Sequence, residues 1–223
     1  MAGSSKSLVS SLVELVVIVA VALGLAFGIQ ALIVKPYKIP SGSMEPTLIP
    51  GQRVLVDRLG HDFGGPTVGE ILVFHPPLEA EHEVCGPDPH HVTYGESPCA
   101  APVADEDSSV NYIKRVIAGP GDEIEVKEGH AYRCAARAGR AKCAPDEFVR
   151  EKDAYIKGTC TGPAAPPECS FPVPIKVPAG HWFMMGDNRG ESDDSRFWGP
   201  IPTSWIVGDA FFTYWPPDRI GTL

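Results

Sequence analysis

The chain has 223 residues and a formal net charge of -9 at pH 7, with 19 Lys and Arg against 28 Asp and Glu. Its cations are scattered, which excludes the clustered basic surface that nucleic acid binding requires. The length allows one membrane anchor plus one domain with a sizeable core. In chain order, residues 1–7 read as a short tail and residues 8–34 as a single membrane-spanning helix. Within 15–34 the only polar side chain is Gln30. A helix of that length, rising about 1.5 Å per residue, covers roughly 30 Å, the hydrocarbon thickness of a bilayer. A cleaved secretory signal would have a shorter apolar core ending at a small-residue site, whereas Val34-Lys35-Pro36-Tyr37 follows here. Glu14 stands at the start of the span and reads as an interfacial residue. Lys6 on one side and Lys35 and Lys38 on the other leave the orientation unsettled by charge alone.

After residue 36 there is no long helical periodicity, and the chain's 23 prolines and 23 glycines punctuate short apolar runs, so the expected class is mainly β. Residues 52–57 and 70–75 read as strands separated by a loop at 60–69. Residues 76–110, with early prolines, two cysteines and the acidic run Asp105-Glu106-Asp107, read as a surface insertion tied by one bridge. Strand pattern resumes at 112–118. The turn Gly119-Pro120-Gly121-Asp122 then predicts a hairpin with 123–126. Residues 127–176 hold four of the cysteines and little periodicity, suggesting a small inserted lobe with its own staples. The core pattern returns at 181–185. These assignments make 35–126 and 177–223 one catalytic β domain. Near the carboxyl terminus, Trp198, Trp205, Phe211, Phe212, Tyr214 and Trp215 fit two roles, contact with a membrane interface or a core strand over 206–214.

Cysteine usage bears on orientation. Cys85, Cys99, Cys134, Cys143, Cys160 and Cys169 form an even set after the anchor, in Pro- and Gly-rich sequence. Such a set suggests disulfides in an oxidising compartment, with the amino terminus in the cytoplasm. Fifteen connectivities are formally possible for six cysteines. Sequence neighbours offer Cys85–Cys99, Cys134–Cys143 and Cys160–Cys169 as the simplest. A structural zinc site is the alternative, but none of the spacings is C-x-x-C.

Two short stretches carry candidate chemistry. Ser43 lies in Ser41-Gly42-Ser43-Met44-Glu45-Pro46-Thr47, a few residues past the span, where Gly42 lets the backbone approach a substrate carbonyl. By itself Ser-Gly-Ser is a commonplace turn. Lys114 lies in the apolar strand Tyr112-Ile113-Lys114-Arg115, with Tyr112 and Val116 on its face. A lysine acting as base near neutral pH needs its ammonium penalised by about two to three units, roughly 3–4 kcal/mol, which burial can supply. Alone it could equally be an edge-strand or snorkelling lysine. Together the two supply a serine nucleophile and a lysine base. A Ser-His-Asp site would draw on His181 or His75, but neither has a serine in a nucleophile context. His90-His91 beside Asp88 could hold a metal or stay solvated in a Pro-rich loop.

Residues 41–48, 112–122 and 186–196 resemble, in order and spacing, the three signature boxes of bacterial signal peptidase I. The third reads Gly186-Asp187-Asn188-Arg189-Gly190-Glu191-Ser192-Asp193-Asp194-Ser195-Arg196, with Gly190-Glu191 where the commoner family wording has Asp-Asn. Its ligand spacing does not suit a calcium loop. The resemblance implies Ser43 as acylating nucleophile and Lys114 as general base. It implies that the Ser41 hydroxyl joins the Ser43 N–H as an oxyanion hole and that the Ser192 hydroxyl orients the lysine amine. Asp187 with Arg115, and Asp194 with Arg196, resemble its supporting ion pairs.

That resemblance implies a mostly antiparallel β domain with a small inserted lobe, behind one amino-terminal transmembrane helix. It implies a serine endopeptidase of the bacterial cytoplasmic membrane, with an extracytoplasmic catalytic domain and neither cofactor nor metal. Its partners would be the lipid bilayer and exported preproteins with small residues at the first and third positions before the cut. Two other readings stay open at this point: a related Ser-Lys protease with one dedicated substrate, and a catalytically silent extracytoplasmic binding module on a stalk.

Overall fold

The computed structural model describes residues 8–60, 64–78, 80, 99–100, 106–156, 160 and 169–223. The tail 1–7, Cys85, Asp88, His90-His91 and most of the 76–110 segment lie outside the described residues, and with them the expected Cys85–Cys99 pairing.

The chain opens with helix α1, Leu8–Leu32, rich in apolar residues and exposed over 10–27, as a lipid-facing helix would be. The apolar window runs over 19 residues, Ser10–Gly28, so Glu14 falls inside it, not at its edge. The helix stops short of the sequence boundary because Val34 already belongs to strand β1, Val34–Lys38. Pro36 disfavours helix for the residue before it and suits an edge strand, and β1 flanks only one partner.

The strands that follow are β2 (Arg53–Asp57), β3 (Ile71–Phe74), β4 (Tyr112–Ala118), β5 (Glu123–Lys127), β6 (His130–Cys134), β7 (Val149–Arg150), β8 (Phe171–Lys176) and β9 (His181–Met185). A one-turn helix α2, Ser195–Trp198, then precedes β10 (Ile201–Pro202), β11 (Ile206–Trp215) and β12 (Gly221–Thr222). All pairings between these strands are antiparallel. The larger sheet runs β1-β2-β11-β3-β4-β9-β10, with β12 added to β11, and the smaller runs β7-β6-β5-β8.

All four residues of β3 are buried, because this central strand is covered on both faces. One face belongs to a cluster of Leu72, Phe74, Val116, Phe183 and Trp198. The other belongs to a cluster of Val73, Ile113, Val54, Met44 and Leu48. Trp198 and Trp205 are core residues, whereas Phe211 and Trp215 remain exposed.

The expected hairpin between β4 and β5 does not form. β4 pairs with β3 and β9, while β5 pairs with β6 and β8 in the other sheet. Residues 119–122 are a corner that carries the chain between sheets. The Asp122 carboxylate accepts from Gly119 N at 2.9 Å and Ala136 N at 2.7 Å and pairs with Arg133 at 3.0 Å, while Gly121 supplies φ +82°. Disulfides Cys134–Cys143 and Cys160–Cys169 both fall on or beside the smaller sheet.

Candidate active site

Ser43 sits in a tight turn just beyond β1. Glu45 N donates to Gly42 O at 3.0 Å and Leu48 N to Met44 O at 2.9 Å, so the backbone coils through the serine. Met44 and Leu48, both fully buried, pin that coil to the core. Lys114 enters from the middle of β4, opposite Leu72 of β3, and is 4% exposed. The two meet across 71 positions of sequence with Lys114 Nζ 2.7 Å from Ser43 Oγ, a buried contact.

Burial, the largest influence, draws the Lys114 amine from 10.5 down to about 8, against the pull of Asp194, Asp193 and Asp187 and with the help of Arg196. The Tyr112 ring, its centroid 5.4 Å from Nζ, offers a π face to the protonated form. An amine that gives up its proton in the mildly alkaline range, within proton-transfer reach of a hydroxyl, is the arrangement that activates a serine.

The third wall is the segment 186–194 between β9 and α2. Asn188 holds the nucleophile turn twice, donating from its N to Ser43 O at 3.0 Å and from Nδ2 to Gly42 O at 3.1 Å. Asp187 joins three segments. It accepts from Arg115 Nε at 2.9 Å and Nη2 at 2.7 Å, and from Thr47 Oγ1 at 2.6 Å. Asp194 accepts from Arg196 Nε at 2.8 Å and Nη2 at 3.0 Å and from Gly186 N at 3.0 Å. Burial would raise its carboxyl, but the Arg196 charge and hydrogen bond and the Gly186 N–H hold it below the usual carboxylate range.

Ser41 Oγ lies 3.4 Å from Ser43 Oγ, turned toward the nucleophile. Ser192 is placed differently from what the resemblance implies. Its hydroxyl is buried and makes no hydrogen bond among the described residues, lying instead against Gly186. Of the two histidines considered for a triad, His75 Nδ1 contacts Val110 O at 3.2 Å and His181 Nδ1 contacts Ala179 O at 2.8 Å. The Ser43–Lys114 contact opens onto a cavity of about 300 Å³ lined by Pro40, Ser41, Asn111, Tyr112, Glu191 and Asp193 among others. Asn188 and Gly186 fall within the third signature segment, but their roles exist only once the loop folds over the turn.

Residues 12–215 match the family described as signal peptidase, peptidase S26. The chain belongs to that family. A probable signal peptidase I-1 of Synechocystis sp. is 34% identical over 94% of this chain and 86% of its own length. Signal peptidase IB of Staphylococcus aureus is 31% identical over 92% of the chain and 90% of its own. The signal peptidase I of Leptolyngbya laminosa is 30% identical over 100% and 89%. Membership makes this chain a serine peptidase, a hydrolase.

Two expectations arise from this packing. A Cβ at position 186 would lie 2.4 Å from Ser43 O and 2.2 Å from Ser192 Oγ. Gly186→Ala must therefore displace the nucleophile turn, and a misplacement of that kind is expected to lower kcat/KM by about 100-fold. Peptide hydrolysis by the folded variant, checked by circular dichroism, tests this. Asp194→Ala leaves the Arg196 guanidinium buried without its counter-charge and is expected to cost about 3–5 kcal/mol in a denaturant titration. Because the Asp194 carboxyl is depressed in the folded state, its contribution is complete above the unfolded carboxyl range near pH 4 and is lost as pH falls through the lower folded value. The variant should therefore show a flatter acid limb of stability.

Proposed function

We propose that this chain is a membrane-anchored endopeptidase that removes signal peptides from exported preproteins through a Ser43–Lys114 acyl-enzyme. The observation that carries the reading is the buried 2.7 Å contact between the two side chains at the wall of an open cavity. The neutral Lys114 amine takes the Ser43 proton as Oγ attacks the scissile carbonyl carbon. The Ser41 hydroxyl and Ser43 N–H donate to the resulting oxyanion. Protonated Lys114 then gives its proton to the leaving amine, and the mature protein departs while the signal peptide stays esterified to Ser43. Lys114 next takes a proton from water, whose oxygen breaks the ester and restores the serine. The Ser192 hydroxyl, buried and without a hydrogen-bond partner among the described residues, accepts from the lysine ammonium when it forms. The pairs Arg115–Asp187 and Asp194–Arg196 keep β4 and the 186–194 segment in register.

The substrate enters as an extended chain. β9 pairs with β4 only from Arg115 onward, so residues 112–114 offer an edge beside the cavity for strand addition. The substrate carries small side chains at the first and third positions before the cut, which such a recess selects by excluding bulk. α1 anchors the chain in the cytoplasmic membrane with its amino terminus in the cytoplasm, and the two disulfides suit an extracytoplasmic domain. The main sheet is the catalytic domain and the four-stranded sheet a lobe inserted into it. Anchoring enzyme and preprotein in one plane raises their effective concentration.

Mass spectrometry of a preprotein incubated with the detergent-solubilised protein tests the reading. Cleavage after a small residue at the end of the signal peptide is expected, and an intact preprotein would refute it.

A further inference from the structure

Where the four-stranded sheet meets the 186–194 segment, a second polar network closes behind the catalytic pair. Arg189 is an almost completely enclosed cation, its side chain 1% exposed. Its Nε donates to Gly186 O at 2.9 Å, and Nη1 reaches both Gly129 O and, at 2.6 Å, Glu151 Oε1. Glu151 lies just past β7 and also accepts from Ala131 N at 3.1 Å and from Tyr155 Oη at 3.2 Å. The Tyr155 ring stacks under Arg115 with its centroid 4.6 Å from the guanidinium carbon. Gly129 in turn donates to Cys169 O at 2.7 Å and abuts Cys160, so the Cys160–Cys169 disulfide backs the same point.

The two arginines held here are the immediate neighbours of site residues. Arg115 follows Lys114 on β4, and Arg189 follows Asn188, whose bonds fix the carbonyls of Gly42 and Ser43. Gly186, held by Arg189 on its carbonyl and by Asp194 on its N–H, lies against Ser43 O. A buried guanidinium without its carboxylate must draw in water or move toward it. Either response shifts Gly186 and Asn188 together. The Tyr155 hydroxyl, pushed above its ordinary range first by burial and then by Glu151, stays protonated and remains a donor.

We propose that Glu151 and Tyr155 of the inserted lobe are positioning residues: they clasp Arg189 and Arg115 and so hold the Ser43–Lys114 geometry from outside the three signature segments. The inference rests on the acyl-enzyme reading above. The lobe thereby serves turnover as well as stability.

The test is steady-state cleavage of a preprotein by full-length, detergent-solubilised Glu151→Gln and Tyr155→Phe variants across pH. Glu151→Gln is expected to lower kcat by about 10- to 100-fold and Tyr155→Phe by about threefold to tenfold, with KM nearly unchanged. In both, the acid limb of the rate profile should move alkaline by about half a unit or more, as water reaches the amine. The charged groups facing that amine, Asp187, Asp193, Asp194 and Arg196, all remain in place. The double variant Glu151→Ala with Arg189→Met should lose less than the product of the single losses. Lys152→Ala, on the exposed neighbour, should match the parent. Melting curves establish that each variant is folded, and Tyr155→Phe, which removes one hydroxyl, keeps the test decisive if Glu151→Gln folds poorly. Wild-type kcat, or a lowered kcat with an unmoved acid limb, would overturn the clasp. An active Ser43→Ala enzyme would instead sink the reading on which it rests.

Discussion

Ser43→Ala is expected to lower preprotein cleavage by at least about 10,000-fold while leaving melting temperature and disulfide content unchanged. The side chain is small and 8% exposed, and its hydroxyl contacts Lys114 and Ser41, so the alanine fits the same space. What disappears is the hydroxyl that the proposed mechanism esterifies. The residual rate then measures what the oxyanion donors and substrate binding achieve without a nucleophile. Electrophoretic or mass-spectrometric assay of the purified variant checks the expectation. Turnover within tenfold of the parent would remove Ser43 from the mechanism.

Lys114→Arg is expected to be as damaging, although it preserves charge and approximate length. A guanidinium stays protonated at any working pH and cannot accept the serine proton. In the parent enzyme the amine, lowered by burial to about 8, is mostly protonated at pH 6 and mostly neutral at pH 9. Activity should therefore rise by about tenfold per pH unit on the acid side and level off above 8. Lys114→Ala should lose both the rise and the turnover, and added small amines should restore a fraction of the rate if a missing base is the cause. A pH profile that is flat between 6 and 9 would exclude lysine as the base. Together with Ser43→Ala, the arginine variant separates loss of the nucleophile from loss of the base.

Much of the β architecture was legible locally. The apolar runs at 112–118 and 181–185 coincide with β4 and β9, because short bounded runs rich in Val, Ile and aromatic residues have little alternative. The membrane-length helix was legible for the same reason, though its end was not. The pairing of β1 with β2 decides that Val34 is strand, and pairing is a contact between distant segments. The corner at 119–122 shows the limit most plainly. Gly-Pro-Gly-Asp is good chemistry for a hairpin and equally good for a change of sheet. Only the competition of β9 for one edge of β4, and of β6 and β8 for β5, decides between them.

The candidate site divides along the same line. Residues 43 and 114 could be singled out from sequence because the three signature segments set a commonplace Ser-Gly-Ser turn and an apolar-strand lysine in the order and spacing of a known family. The roles of Asn188, Gly186, Glu151 and Tyr155 could not be named from sequence. These are polar or small residues in loops without periodicity, and their function consists of what they touch.

By itself, then, the sequence determined the membrane-length apolar helix and the β class, written in short windows of hydropathy and residue type, and through its three signature segments it singled out the candidate nucleophile and base. Only the tertiary structure decided that these two side chains lie 2.7 Å apart, that the amine is buried enough to lose its proton near pH 8, and that a separate sheet braces the loop behind them. Distance, dielectric surroundings and bracing are set by segments far apart in the chain, and so exist only after it has folded.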